Sequence, residues 1–173
     1  MNNDIRDIIL KYGGDIIRSE EFRATFEQKH HMDTTVGDHT LGVAAEAVYI
    51  CLLCSQTDDR TLENVVVSSL CHDLGIIGRD EKFDNNAQCL MRHPVDSAEV
   101  YRNLTGEKNE RVLDSILSHM FPLKPRMPKH REGWILTLAD KTASAREKLG
   151  RPSVSRAERE EILTLAGGRP GQG

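Results

Sequence analysis

Apolar residues recur at helical spacing along nearly the whole chain. In DIRDIILKYGGDIIRS, Ile5, Ile8, Ile9, Ile16 and Ile17 mark one helix face, interrupted by Gly13 and Gly14. A second, short helix is predicted over roughly Glu20 to Lys29, and MDTTVGD then punctuates. From about Asp38 to Ser55 the stretch DHTLGVAAEAVYICLLCS is small and apolar nearly all round, which predicts a central helix. QTDDRT turns the chain, and Thr61 to Asp73 is the next helix. GIIGRDEKFDNNAQ reads as a loop on its glycines, asparagines and charges. Pro94 suits the first position of a helix through Asn103.

After the turn LTGEKN, Glu107 to Met120 is again amphipathic. FPLKPRMPKHREG carries three prolines and cannot be regular. Trp134 to Leu149 forms the last core helix. Ser155 and Glu158 have capping-box spacing for a short final helix, and AGGRPGQG is expected to fray. There is no internal repeat and no alternating strand pattern. The expected class is all-α, with about seven or eight helices.

Composition narrows the function. A chain of 173 residues, 38% hydrophobic, can bury one core but not two comfortable ones. A formal charge of -4 argues against bulk nucleic-acid or membrane-surface binding. No apolar run is expected to span a bilayer, and MNNDIRD has no leader-like pattern, so the expected location is cytoplasmic. Cys51, Cys54, Cys71 and Cys89 then read as reduced thiols. Cys51 and Cys54, in a lone C-L-L-C, are expected to share a buried face rather than a metal.

The chemistry lies in the histidines. His39 shares a stripe with Val43 and Ile50, His119 one with Ile116 and Val112, and His72 lies below Val65 and Ser68. His93 precedes the expected helix start. Asp73 adjoins His72, and Asp140 sits on the face of Leu136 and Ala143. A lone buried histidine is usually satisfied by a neighbour. Four of them with two acids would each need a separate buried partner, whereas one or two divalent cations satisfy all six. Imidazole and carboxylate suit transition metals such as Zn, Fe, Mn or Ni rather than Ca.

His39, then His72-Asp73, then Asp140 resembles the H…HD…D signature of the HD superfamily of metal-dependent phosphohydrolases. His93 and His119 resemble the additional ligands of its two-metal H…HD…H…H…D form. The similarity extends from about His31 to Lys141. It includes a histidine eight residues before the first ligand (His31), RHP (92–94), HMFPL (119–123) and ADK (139–141). HD alone is a weak signal; the ordered set of five motifs is specific. The closest look is to small single-domain bacterial members.

The resemblance implies an all-α domain over 1–150, followed by a short helix and flexible tail over 151–173. It implies one or two divalent ions, with Fe, Mn, Zn, Ni, Co and Mg as candidates. His39, His72, Asp73 and Asp140 would hold the first, and Asp73 would bridge to a second completed by His93 and His119. LGII after HD departs from the guanosine tetraphosphate hydrolase branch, which has an acidic pair there. Ile76 stands where the 5′-nucleotidase branch has glutamate, and no GYP motif of cyclic-dinucleotide phosphodiesterases is present.

Two ions about 3.5–4 Å apart activate a bridging water and clamp a phosphoryl oxygen. The expected reaction is therefore hydrolysis of a small phosphoester, a nucleotide among the candidates, by metal-bound hydroxide. Lys124 and Arg126, with Lys129, His130 and Arg131, form a stiff basic loop without an acid, the first candidate for holding phosphate. Its alternative is a solvated loop. His31 is a candidate for touching substrate or moving a proton. Arg79 and Lys82 stand second, and Lys141 is a residue that the helical turn can direct outward. Two other readings stay open: a di-iron oxygenase cleaving a C–C or C–P bond, and a non-catalytic metal- or nucleotide-binding sensor. Oxygen consumption separates the first from hydrolysis, and aryl phosphate turnover separates the second. A homodimer is an allowed state.

Overall fold

The computed structural model describes residues 1–31 and 34–167, excepting the side chains of His30 and His31. α1 (Asn3–Arg18) and the short α2 (Glu20–Ala24) precede an antiparallel pair, β1 (Lys29–His31) and β2 (Thr34–Thr35). α3 (Val36–Leu53) and α4 (Asp59–Cys71) lead into a 3-10 turn, Leu74–Ile76. Then come the one-turn α5 (Arg79–Lys82), α6 (Asn86–Thr105), α7 (Glu110–Ser118), α8 (Arg131–Lys148) and α9 (Arg156–Gly167). The class is all-α. The two strands, three and two residues long, are too short to show an alternating pattern.

α3 is the hub. Leu41, Ala44, Ala45 and Val48 join a core with α1, α4, α6, α7 and α9, while Val43, Ala47 and Cys51 join a second cluster with α4 and α8. Its apolar perimeter is used on several sides, as small side chains let neighbours come close. The expectation of no run near membrane-spanning length is corrected here. This 18-residue helix is long and apolar enough by composition, but 67% of it is buried inside the fold. Thr35 and Asp38 form a capping box that starts the helix just before His39.

Several boundaries differ from the sequence reading. Gly13 and Gly14 do not interrupt α1. A Cβ at Gly13 would lie 3.1 Å from Val66 Cγ1 and closer still to Leu70, so the glycine admits α4. The predicted loop after Asp73 contains the 3-10 turn, α5 and the start of α6. Asn85 caps α6 by accepting from Gln88 N, placing Pro94 inside the helix rather than at its start. Cys54 is exposed at the end of α3, so it does not share the buried face of Cys51. α9 packs on α1, with Ile162 and Ala166 in the main core.

The 3-10 turn that follows Asp73 is pressed against α6. Gly75 N donates to Ser97 Oγ at 2.9 Å. A Cβ on Gly75 would lie 2.5 Å from both His93 O and Ser97 N, which are backbone atoms that cannot step aside. Gly75→Ala is expected to destabilise the chain by roughly 1–3 kcal/mol, the usual range for overpacking. It should also weaken metal retention, because α6 carries His93 and the turn follows Asp73. Thermal unfolding with metal analysis of the same sample checks both; unchanged values in both would refute this account of the glycine.

Candidate metal centre

Five helices deliver the six predicted ligands. His39 comes from the first turn of α3, His72 caps the C-terminus of α4, and Asp73 follows it. His93 lies within α6, His119 caps α7, and Asp140 lies within α8. All six are buried.

The local chain fixes which imidazole nitrogen faces inward. His72 Nδ1 lies 2.7 Å from Ser69 O, and His119 Nδ1 lies 2.7 Å from Ile116 O. His93 Nδ1 lies 3.0 Å from Cys89 O. A carbonyl only accepts, so each Nδ1 carries the proton. At the two helix ends this also satisfies a carbonyl that has no further helical partner. Each Nε2 is left facing the interior, where it can serve as the ligand atom. His39 is held differently, with Nδ1 2.9 Å from Glu147 Oε1 and Nε2 3.2 Å from Asp140 Oδ1.

Asp73 divides the set in two. Its Oδ2 lies 3.4 Å from His72 Nε2 and 3.9 Å from His39 Nε2. Its Oδ1 lies 3.4 Å from His93 Nε2 and 3.6 Å from His119 Nε2. Metal bonds of about 2.0–2.2 Å to nitrogen and oxygen leave neighbouring ligand atoms roughly 3–3.5 Å apart. The spacings fall near that range on both sides of one carboxylate. Two overlapping triads, His39–His72–Asp140 and His72–Asp73–His119, each bring their ligand atoms within 4.8 Å of one another.

Two further observations show that these residues fit a cation. Buried His72 Nε2 has no hydrogen-bond partner. His93 Nε2 and His119 Nε2 face each other at 3.0 Å although both Nδ1 atoms already carry protons. Burial, with repulsion from His72 and His93, pushes His119 down to about 3. Burial likewise lowers His93. Neutral rings then oppose lone pair to lone pair, which a cation relieves. At His39 burial disfavours the charged ring, but hydrogen bonds to Asp140 and Glu147 prevail and raise it to about 10. Burial works against the Asp140 carboxylate too, yet His39 holds it well below its ordinary range.

The other predicted residues part company. Lys124 Nζ donates to Met91 O at 2.6 Å, and Arg126 Nη2 lies 3.7 Å from buried Asp114 Oδ1. Lys129 N donates to Asp114 Oδ2, and Arg131 reaches Asp58. These contacts tie the loop to the scaffold, and none of residues 124–131 lines the cleft over the ligands. His130 is the N-cap of α8, without a side-chain cap bond. The side chain of His31 lies outside the described residues. Lys141, by contrast, lines the cleft, with Nζ 2.6 Å from Asp140 Oδ2. Arg79 also lines it and Lys82 does not. The cleft encloses about 470 Å³. A larger depression of about 610 Å³ between α1 and α9 contains none of the ligands.

Sequence reasoning missed Glu147, whose side chain is 5% exposed and whose Oε1 holds His39 Nδ1. The signal was its position seven residues after Asp140, two turns along the same face. A carboxylate behind a ligating histidine fixes the ring and raises its basicity, and losing one typically costs 10–100-fold in metal affinity. Glu147→Gln is expected to weaken metal binding within that range while the fold persists, read by competition with a chelator. Asp73→Ala should empty the centre. The double variant His93→Ala/His119→Ala should keep about half the wild-type metal after metal is added back. Full retention in the double variant would mean that the second histidine pair holds no ion.

A scan against protein-family models matches the HD domain over residues 36–145. Searches of curated proteins and of solved structures return no match. The matched span contains all six candidate ligands in their order along the sequence. By that match, which covers well over half its length, the chain belongs to the HD domain family.

Proposed function

We propose that the chain hydrolyses the phosphoester bond of a small phosphorylated metabolite, with nucleotides among the candidates. Membership of the HD family implies a metal-dependent phosphohydrolase type of chemistry. The observation that carries the reading is the division of Asp73, one oxygen toward His39 and His72, the other toward His93 and His119. A complete donor set on both sides of one carboxylate fits a pair of ions. When bound, such a pair supplies an activated water and offsets charge on phosphoryl oxygens.

The chain's own residues do the rest. The carbonyls behind His72, His93 and His119, and Glu147 behind His39, keep the imidazole Nε2 atoms turned inward beside the Asp73 and Asp140 carboxylates. Lys141 bonds Asp140 Oδ2 and faces the cleft beside the ligands, where its ammonium can meet a phosphoryl oxygen. Ile76 and Met120 border the same cleft and make that part of its lining apolar. Lys124 and Arg126 act in this proposal through the scaffold, holding α6 and α7 in place. His31 keeps its proposed role at the substrate.

The test is release of phosphate from an aryl phosphate and from a panel of nucleotides and sugar phosphates, with Mn, Fe, Co or Ni added. Turnover should vanish with chelator and return with metal. Lys141→Ala should lower kcat/KM by about tenfold or more while leaving metal content intact, as expected for loss of a charge-assisted contact. Metal-loaded protein that releases phosphate from nothing in the panel would overturn the proposal.

A further inference from the structure

We infer that the cleft receives a substrate carrying a second phosphate, held away from the metal centre by Lys148 and Ser144 of α8 with Arg79. This rests on the phosphohydrolase reading and names the substrate class of the same site.

The argument begins with charge. Asp73 and Asp140 are the acids that line the cleft, and both belong to the ligand set. Lys141 is already paired with Asp140. Arg79 Nη2 donates to Asn86 Oδ1, a neutral amide that also lines the cleft. Lys148 has no acidic partner among the described residues. Two full positive charges therefore border the cleft without a carboxylate to balance them. The arginines outside the cleft at Arg111, Arg126 and Arg131 each have an acid within 4 Å.

Helix geometry places the Lys148 charge away from the reacting group. Lys141, Ser144 and Lys148 fall three and seven residues apart, on one stripe of α8. At 1.5 Å per residue, Lys148 lies about 10 Å along the axis from Lys141, and Asp140 lies one residue further back. One phosphoryl group at the metal centre cannot also reach Lys148. A second anion roughly 5–10 Å from the scissile phosphorus can, given the length of the lysine side chain. Ser144 offers a hydroxyl donor between the two positions.

The apolar part of the cleft wall sets what joins the phosphates. Leu90 and Leu123 are 40% and 66% exposed, and with Ile76 and Met120 they give this side an apolar surface. A volume of about 470 Å³ suits a small organic molecule, not a polymer. The ligand class is therefore an organic bisphosphate whose carbon skeleton or base lies on this wall, one phosphate at the ligands and the other on α8.

A nucleoside 3′,5′-bisphosphate and an aryl phosphate are the two probes, used with the full, metal-loaded chain. Lys148→Ala should raise KM for the bisphosphate about tenfold more than for the aryl phosphate, the scale of one charge-assisted contact. Arg79→Ala should act in the same direction. Lys148→Arg should restore most of the loss. Equal KM changes on both probes would overturn the second-phosphate site and leave the phosphohydrolase reading standing. Wild-type protein that hydrolyses neither probe, nor any phosphoester in the panel, would overturn both.

Discussion

One buried carboxylate organises this molecule. Four imidazole Nε2 atoms and a second carboxylate gather around Asp73 in a buried region at the base of the cleft. Such groups are costly to bury without compensation, and lone pairs facing one another add repulsion. The arrangement persists because each ring is anchored from behind: three by carbonyls of their own helices, and His39 by Glu147. Those anchors fix the rings before any ion arrives, so a cation meets ligands that need little reorientation.

Helix ends deliver His72 and His119, while His93 and Asp140 come from within α6 and α8. His72 and His119 each stand at the C-cap, where the last carbonyls lack helical donors and accept from Nδ1 instead. A ligand at a helix terminus can point along the axis into a common centre, which a mid-helix side chain does less easily. Asp73 gains its position from the following 3-10 turn, and Gly75 in that turn has no side chain to hold α6 away. Close approach is bought with glycine at Gly13 too, where α1 meets α4. The small residues of α3 let α4 and α8 lie against it and carry their ligands inward.

Cations are sorted by their partners. Arg126 and Arg131, in and beside the proline-rich segment, turn to Asp114 and Asp58 and brace the scaffold. Buried Asp114 also accepts from Lys129 N, so the loop is held at two points. Lys141 and Lys148 from α8 and Arg79 from α5 line the cleft. The basic residues clustered along the sequence thus contact the scaffold, while those that line the cleft come from two other elements.

The sequence by itself determined the helical class and the central place of the apolar stretch in α3, and it named the six candidate ligands that the fold buries together. Helical periodicity is local, and the histidines and acids fell at inward positions on that periodicity. The ordered motifs added the family. Boundaries were less legible. Pro94 read as a helix start, but Asn85 supplies a cap nine residues earlier and the helix continues through the proline. Gly13 and Gly14 read as a break because the use of Gly13, the approach of α4, is a long-range fact. Only the tertiary structure decided that Asp73 turns one oxygen to each histidine pair, that Glu147 stands behind His39, and that Lys141 faces the cleft while Lys124 does not. The reason is physical: a residue's face on its own helix is set by local geometry, but its partner is set by how separate helices pack, and packing joins positions as distant as His39 and Glu147.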